Sequence, residues 1–105
     1  MAVQHVTTAD FDEVVKGSDK VVFVDFSAVW CGPCQMFKPV FEQFSEENPD
    51  KVLCVSVDID ESRELAMRFG IQGVPTTLIF KDGEIVDSAV GALTKVTRDM
   101  FLKRY

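Results

Sequence analysis

Two short stretches of the chain are apolar at nearly every position, and they constrain its fold more than any other feature. Residues 21–26 and 52–57 are rich in valine, and Asp25 is the one acidic residue among them. Strands of this kind must be covered on both faces, which is typical of central strands in a sheet that has helices on either side. We therefore predict an α/β protein built around two buried strands.

The segment between these strands carries the pattern of a long amphipathic helix. From Cys34 to about Asn48, apolar residues recur at steps of three and four and form one stripe, made of Phe37, Val40, Phe41 and Phe44. Pro39 lies inside this pattern and removes one backbone hydrogen-bond donor. We expect a kink at Pro39 rather than the end of the helix.

Three shorter helices are predicted from capping residues and apolar periodicity. Thr8 is the expected cap of a helix over residues 10–16, and Asp60 is the expected cap of a helix that extends to Gly70. Thr94 is expected to cap a final helix whose apolar residues pack on the sheet, namely Val96, Met100 and Phe101.

The remaining extended segments complete a sheet of mixed direction. Residues 3–6 are predicted as an edge strand, and residues 76–80 and 84–88 as a hairpin around an Asp-Gly turn. A tight hairpin is antiparallel, whereas strands joined by a helix are usually parallel. The predicted architecture is a mixed five-stranded sheet in the order βαβαβαββα, with helices on both faces, in one domain over residues 1–105.

The charge and hydropathy of the chain argue against several classes of protein. Acidic residues number 17 against 11 basic ones, and the net charge of −6 repels nucleic acids and anionic membranes on average. No apolar run approaches the roughly 20 residues of a membrane helix, and no secretory signal is visible, so we expect a cytosolic protein. An odd number of cysteines, 3, favours redox or metal chemistry over a disulfide-stapled scaffold.

Two of the cysteines stand where a strand leads into the long helix, in the segment Trp30-Cys31-Gly32-Pro33-Cys34. Cys31 lies at the helix N-terminus, where unpaired N–H groups and the positive helix end favour a thiolate. Thiolates attack disulfides, so Cys31 is the predicted exposed nucleophile. Cys34 follows one turn later on the same side of the helix, where we expect a shielded, resolving thiol.

Asp25 is the candidate base for this chemistry. A shielded Cys34 thiol needs a proton acceptor when it attacks, and Asp25 lies near the end of the strand that leads to Trp30. Apolar neighbours favour a buried carboxyl group, and the alternative is a carboxylate that faces solvent at the strand end. The third cysteine, Cys54, lies in an apolar strand, where we expect an inert core thiol.

Two other kinds of function stay open at this point. A Cys-x-x-Cys pair is also half of many zinc or iron–sulfur sites, although the sequence adds only His5 and Cys54 as further soft ligands. A non-catalytic binding module would use the surface around the cysteines to hold a partner. We expect no metal and no cofactor, because no Gly-rich nucleotide-binding loop is present and electrons must come from another protein.

Four segments together resemble the thioredoxin family over essentially the whole chain. Residues 24–34 are similar to its active-site signature, and Val-Pro-Thr at 74–76 is similar to its cis-proline loop. Phe-Lys-Asp-Gly at 80–83 resembles its hairpin turn, and Val-Gly-Ala at 90–92 resembles its last loop that faces the substrate. One Cys-x-x-Cys pair is a weak signal, whereas four segments in this order are specific.

The resemblance implies the thioredoxin fold and the activity of a protein-disulfide reductase. Pro75 would be cis and pack beside the two sulfurs, and the Val74 backbone would be free to pair with a client. A flat apolar surface around the nucleophile would be formed by Trp30, Gly32, Val74 and Gly91. Gly32 and Pro33 resemble the pair that tunes reducing members of the family.

The implied partners are a thioredoxin reductase, which would regenerate the dithiol, and client proteins with disulfides, such as peroxiredoxin-like and reductase-like proteins. Three positions depart from the common pattern. Ser56 replaces a lysine of many bacterial members, so Asp25 lacks a cationic partner and should hold its proton strongly. Gln35 replaces a lysine that commonly follows the second cysteine. Gly73 replaces a cysteine that links two subunits in some animal members, so we expect a monomer.

Overall fold

The computed structural model describes residues 3–105, and within them five strands and four helices follow the predicted order βαβαβαββα. The strands are β1 (Val3–His5), β2 (Val21–Ser27), β3 (Val52–Asp58), β4 (Thr76–Lys81) and β5 (Glu84–Val90). The helices are α1 (Phe11–Lys16), α2 (Gly32–Glu47), α3 (Arg63–Arg68) and α4 (Lys95–Arg104). The predicted mixed sheet is confirmed.

The strands form one sheet in the order β1-β3-β2-β4-β5. The first three are parallel, and β4 and β5 are antiparallel to their neighbours. Asp25 lies in the central strand β2 and pairs with Ser56 on β3 and with Thr77 on β4. Ser56 pairs in turn with His5 on β1. Residues 5, 56 and 25 therefore lie side by side across three strands.

Each face of the sheet is covered by two helices, as the doubly apolar strands predict. Alternate residues of β2 point to opposite faces, so Val22 and Val24 pack with α1 and α3, and Phe23 packs with α2 and α4. The ring centroids of Phe23 and Phe44 lie 5.0 Å apart in an edge-to-face contact. Burial of each such side chain contributes roughly 1.5–3 kcal/mol. These contacts hold α2, which begins at the cysteines, firmly on the sheet.

The hairpin between β4 and β5 confirms the predicted Asp-Gly turn. Asp82 and Gly83 have φ angles of 53° and 80°. Positive φ at both central residues is characteristic of a type I′ turn, whose twist matches that of the two strands. Strand β5 extends to Val90, two residues beyond the predicted end of the hairpin.

Two predicted helix caps are wrong, and in both cases a nearby carboxylate explains the difference. Helix α1 begins after Asp10 and not after Thr8, because the Asp10 Oδ1 accepts the Thr7 N–H at 2.7 Å and closes a turn there. Helix α3 begins after Ser62. The Asp58 Oδ1 accepts the backbone N–H groups of residues 60 and 61, so this segment forms a turn before the helix.

The predicted cap of α4 is confirmed, but the predicted packing face is only partly right. Thr94 Oγ1 accepts the Thr97 N–H at 3.2 Å. Phe101 is buried, whereas Val96 is 72% exposed and Met100 is exposed as well. The inward face is completed by Arg98, whose guanidinium carbon lies 4.9 Å from the centroid of the Phe44 ring. A long arginine stem can cover apolar surface in place of a smaller apolar residue.

Helix α2 runs through Pro39 without interruption, so the predicted continuation of the helix is confirmed. Its buried stripe contains Phe37, Phe41 and Phe44, while Val40 is exposed rather than part of the core. Within residues 3–105, every helix is too short or too polar to cross a membrane.

Candidate active site

Cys31 is the N-cap residue of α2, as the sequence predicts, and its sulfur faces the first turn. The Cys34 N–H donates a hydrogen bond to the Cys31 Sγ at 3.2 Å. Pro33 lies in the first turn of the helix, where its missing N–H leaves no donor unpaired. The positive helix end and this N–H donor both favour a thiolate at Cys31. The N-cap position of Cys31 therefore makes its sulfur more reactive.

The two cysteines are joined by a disulfide, with their Cα atoms 5.2 Å apart. This separation lies in the ordinary range for disulfide-bonded residues. Cys31 is 6% exposed and Cys34 is 2% exposed, so the prediction of an exposed Cys31 is wrong for the disulfide form. Ile59 and Val74 pack against the pair and cover it. Cys31 is nevertheless the more accessible of the two.

The loop before β4 lies directly beside the disulfide. The Val74–Pro75 peptide bond is cis, which confirms the prediction from the resemblance. The Cys31 Sγ lies 3.7 Å from the carbonyl oxygen of Val74. Within residues 3–105, neither the N–H nor the carbonyl group of Val74 has a backbone hydrogen-bond partner. These two groups are therefore available to an extended peptide.

Gly91 lies next to the same loop. Its N–H donates to the carbonyl oxygen of Pro75 at 2.7 Å, and its φ of 91° is one that favours glycine. A Cβ atom at Gly91 would meet no heavy atom within 4 Å, so the space above it is open. The structure thus brings Val74, Pro75 and Gly91 together at the cysteines.

Trp30 precedes Cys31 in the chain and is 67% exposed. Its indole Nε1 donates to the Asp60 Oδ2 at 2.8 Å. The sequence predicts Asp60 as a helix cap and gives no sign of this contact. No periodicity in the sequence signals it, because it depends on the turn that Asp58 stabilises.

Asp25 is buried and does not face bulk solvent. It is 4% exposed, and its Oδ1 has no hydrogen-bond partner among the described residues. Burial raises the pKa of its carboxyl group from the ordinary 3.8 to about 7. A buried carboxyl group of this kind is suited to accept a proton near neutral pH.

A cleft of about 380 Å³ opens between α2 and the β1 edge of the sheet, and Asp25 and Cys34 both line it. We call it the Asp25 cleft. The polar side chains that line it further include those of His5, Gln35, Lys38, Glu42, Ser56 and Asp58. Although Lys38 lies in this cleft, it makes no ion pair with Asp25. The Asp25 carboxyl group thus has no ion-pair partner among residues 3–105.

Cys54 lies in β3, and its free thiol is buried in the core that this strand forms with α2. Burial, with a smaller effect from Glu42, raises the pKa of this thiol to about 12. A thiol that holds its proton so strongly is a poor nucleophile at neutral pH. Among residues 3–105, no three His, Cys, Asp or Glu side chains are grouped so that they could hold a metal ion.

We therefore predict that Cys54→Ala reduces disulfides at a rate within about twofold of the parent rate. The free energy of unfolding should fall by about 1–3 kcal/mol, because the substitution leaves a small cavity in the core. Insulin reduction and denaturant unfolding measure the two effects. A large loss of turnover in a folded Cys54→Ala protein would give Cys54 a part in the redox cycle.

Comparison with known proteins places this site in a family. The thioredoxin family model matches residues 2–104. The chain is 41% identical over 105 residues to thioredoxin of Porphyra purpurea, covering 100% of this chain and 98% of that protein. It is 38% identical over 103 residues to thioredoxin of Haemophilus influenzae, covering 98% and 96% of the two chains.

A third relative is a longer protein. The chain is 42% identical over 103 residues to thioredoxin M-type, chloroplastic, of Pisum sativum, and the match covers 98% of this chain but 60% of that protein. The matches to the two shorter relatives extend over nearly their full length. The chain belongs to the thioredoxin family, and its Cys31–Cys34 pair makes it a thiol–disulfide redox carrier.

Proposed function

We propose that the chain reduces disulfides of client proteins with Cys31 as the nucleophile, Cys34 as the resolving thiol and Asp25 as the proton acceptor. The observation that supports this assignment most strongly is the order of the three groups. Cys31 caps the helix and is the more accessible sulfur, Cys34 lies one turn deeper, and Asp25 lines the same cleft as Cys34.

The first step is attack by the Cys31 thiolate on one sulfur of a client disulfide. A new sulfur–sulfur bond forms between Cys31 and the client, and the client's other sulfur leaves as a thiolate. The Cys34 N–H stabilises the attacking thiolate through its hydrogen bond to the Cys31 Sγ. The apolar contacts of Ile59 and Val74 limit the access of water to this sulfur.

The second step releases the client. The Cys34 thiol gives its proton to the Asp25 carboxylate, and the Cys34 sulfur attacks the Cys31 sulfur. The bond between Cys31 and the client breaks, and the client leaves with its second thiolate. Two electrons have then passed from the cysteine pair to the client, and the pair is left as the disulfide.

The exposed groups around Cys31 are proposed to hold the client. An extended client segment would pair with the free backbone groups of Val74 and lie across Gly91, in the manner of a strand added to a sheet edge. Trp30 and Gly32 would supply the opposite, largely apolar side of this surface. Recognition by backbone atoms suits many client sequences rather than one.

Members of the thioredoxin family generally work with a thioredoxin reductase and with disulfide-bearing clients. For this chain, a reductase that acts on the Cys31–Cys34 disulfide, and clients such as peroxiredoxin-like and reductase-like proteins, remain proposed partners. The reducing character of the Gly32-Pro33 pair supports this direction of electron flow. The cytosol remains the predicted location, and the relatives include chloroplastic proteins of pea and rice by name.

Insulin reduction in the presence of dithiothreitol tests the proposed activity. A reductase accelerates the precipitation of the insulin B chain, whereas a metal-binding or passive module leaves it at the rate of dithiothreitol alone. The matched control is the Cys31→Ser protein at the same concentration. A parent chain that is no faster than this variant would contradict the assignment of Cys31.

A further inference from the structure

The proposed role of Asp25 requires that protons pass between its buried carboxyl group and solvent. In each cycle the Cys34 proton moves to Asp25 while Cys34 forms its bond to Cys31. With a pKa of about 7, Asp25 is divided between its protonated and ionised forms at neutral pH, and it must lose the Cys34 proton to the exterior before it can accept another. The following inference rests on this proposed function.

The Asp25 cleft is the route that the structure offers for this exchange. Asp25 and Cys34 both line it. Charged and titratable groups face it from every element around it: Lys38 and Glu42 from α2, Asp58 from β3 and His5 from β1, with Ser56 of β3 between His5 and Asp25. A cleft of about 380 Å³ with polar walls has room for several water molecules.

Three residues that line this cleft lie in a row across three neighbouring strands. Asp25 is the register partner of Ser56, and Ser56 is the register partner of His5. Directly paired residues of neighbouring strands point to the same face of the sheet, and neighbouring strands lie about 4.8 Å apart. The row therefore extends from the buried carboxyl group to the β1 edge in two short steps.

His5 joins this row to the exterior. Its Nδ1 lies 3.4 Å from the Ser56 Oγ, and its Nε2 lies 2.7 Å from the Glu61 Oε1. The His5 side chain is 54% exposed. The imidazole thus has one nitrogen toward the cleft and the other toward an exposed carboxylate. It can accept a proton on one nitrogen and release a proton from the other.

The other groups that line the cleft are less suited to carry a proton. A lysine side chain normally keeps its proton near neutral pH. The partly buried Asp58 already accepts the backbone N–H groups of residues 60 and 61 with its Oδ1. The Glu42 Oε2 is buried without a hydrogen-bond partner among the described residues, so Glu42 lacks a hydrogen-bonded link to the exterior. Imidazole is the side-chain group that gains and loses a proton readily in this range. His5 is also the one histidine of the chain.

We propose that His5, acting through Ser56, transfers protons between Asp25 and solvent during the redox cycle. When Asp25 loses its proton, the proton passes through the Ser56 hydroxyl or an adjacent water to His5 Nδ1, and the proton on Nε2 leaves toward Glu61 and solvent. The imidazole then carries its proton on Nδ1, and exchange with solvent returns it to the Nε2–H form before the next cycle. No electrons move in this step. His5 acts through Asp25 and does not touch the sulfur atoms.

The experiment is multiple-turnover reduction of excess insulin in weakly buffered solution near neutral pH, with dithiothreitol as the electron source and precipitation of the insulin B chain as the readout, because Asp25 must release its proton once in every cycle. His5→Ala should be slower by about tenfold, which is less than the ~10²–10⁴-fold contribution of a general acid or base itself. Added imidazole should restore the parent rate, because a small diffusible base can replace the missing proton carrier. The same imidazole should leave the parent unchanged.

Two variants separate proton transfer from a structural effect. His5→Gln keeps an amide N–H that can donate to Glu61, so its free energy of unfolding should match the parent while its rate is as low as that of His5→Ala. Gln4→Ala changes the neighbouring β1 residue, whose side chain points to the opposite face, and it should react at the parent rate.

The proposal is overturned if His5→Gln reacts at the parent rate, or if imidazole fails to restore a slow His5 variant. Asp25→Asn, measured beside them, keeps the two proposals apart. If Asp25→Asn is as fast as the parent, the assignment of Asp25 itself fails. If Asp25→Asn is slow while both His5 variants react at the parent rate, only the role of His5 fails.

Discussion

Replacement of Cys31 by serine is expected to remove all insulin-reducing activity above the dithiothreitol background, because a hydroxyl group does not form the nucleophile at neutral pH. Cys34→Ser should also fail to turn over, but for a different reason. Its Cys31 thiolate can still attack, but the resolving thiol is missing, so covalent adducts with clients should accumulate when the reduced variant is mixed with clients after dithiothreitol has been removed. Gel electrophoresis without reductant measures these adducts.

The same assignment predicts the order of alkylation in the reduced protein. Cys31 is the more accessible sulfur and lies at the positive helix end, so a small alkylating reagent at neutral pH should modify it before Cys34. Cys54 should react last, because it is buried and its thiol holds its proton strongly. Equal labelling of Cys31 and Cys34 would contradict the division of roles between them.

Asp25→Asn is expected to be more stable than the parent at neutral pH and markedly less active. The carboxyl group has a pKa of about 7 in the folded protein against an ordinary 3.8. Between these two values the folded chain holds a proton that the unfolded chain has lost. Stability therefore falls as the pH rises through this window, and it levels off above a pH of about 7.

The size of this effect follows from the two pKa values. A pKa difference of about three units corresponds to a loss on the order of 4 kcal/mol across the full window. Asp25→Asn has no charge to bury, so it should exceed the parent by on the order of 1–4 kcal/mol at neutral pH. Below a pH of about 4 both side chains are neutral, so the two proteins should have similar stability. Denaturant unfolding at acid and neutral pH measures the difference.

Activity should change in the opposite direction. An amide cannot accept the Cys34 proton, so release of the client should slow by ~10²-fold or more. Measurement of single-turnover rates on the same Asp25→Asn preparation links the two results. Equal stability at neutral pH together with an equal rate would show that Asp25 is neither a buried charge nor the base. The matched control is Asp50→Asn, an exposed aspartate distant from the cleft, which should change neither quantity.

The order of elements could be predicted from sequence because each element carries a local signal of its own. Residues 21–26 and 52–57 are apolar on both faces, and the Asp82-Gly83 pair fits the positive φ angles of its turn. The cysteine pair was placed correctly at the start of α2, because the change from strand to helical periodicity occurs there. Local patterns of this kind do not depend on what packs against them.

The errors arise where neighbouring groups compete. Asp58 and Asp60 lie two residues apart. Asp58 accepts backbone N–H groups of the turn, and Asp60 accepts the Trp30 indole N–H. This division depends on tertiary contacts. The low exposure of Cys31 results from the packing of Ile59 and Val74, which lie far from it in the sequence. On α4, the stem of Arg98 covers apolar surface, which no hydropathy pattern predicts.

The Asp25 cleft could not be predicted from the sequence for a related reason. Its row of side chains joins residues 5, 25 and 56, and their alignment depends on the strand order β1-β3-β2 and on the register within it. Sequence periodicity shows which residues share a face but does not fix the register between strands. His5 therefore entered the sequence analysis only as a candidate soft ligand.

Mapping the covalent adduct of Cys34→Ser tests the division of roles between the cysteines most directly. The reduced variant is mixed with insulin, alkylated and digested without reductant, and the disulfide-linked peptides are identified by mass spectrometry. The account predicts one linkage between Cys31 and an insulin cysteine, with Cys54 recovered as the free, alkylated thiol. An adduct at Cys54, or no adduct in a folded variant that retains Cys31, would contradict Cys31 as the nucleophile.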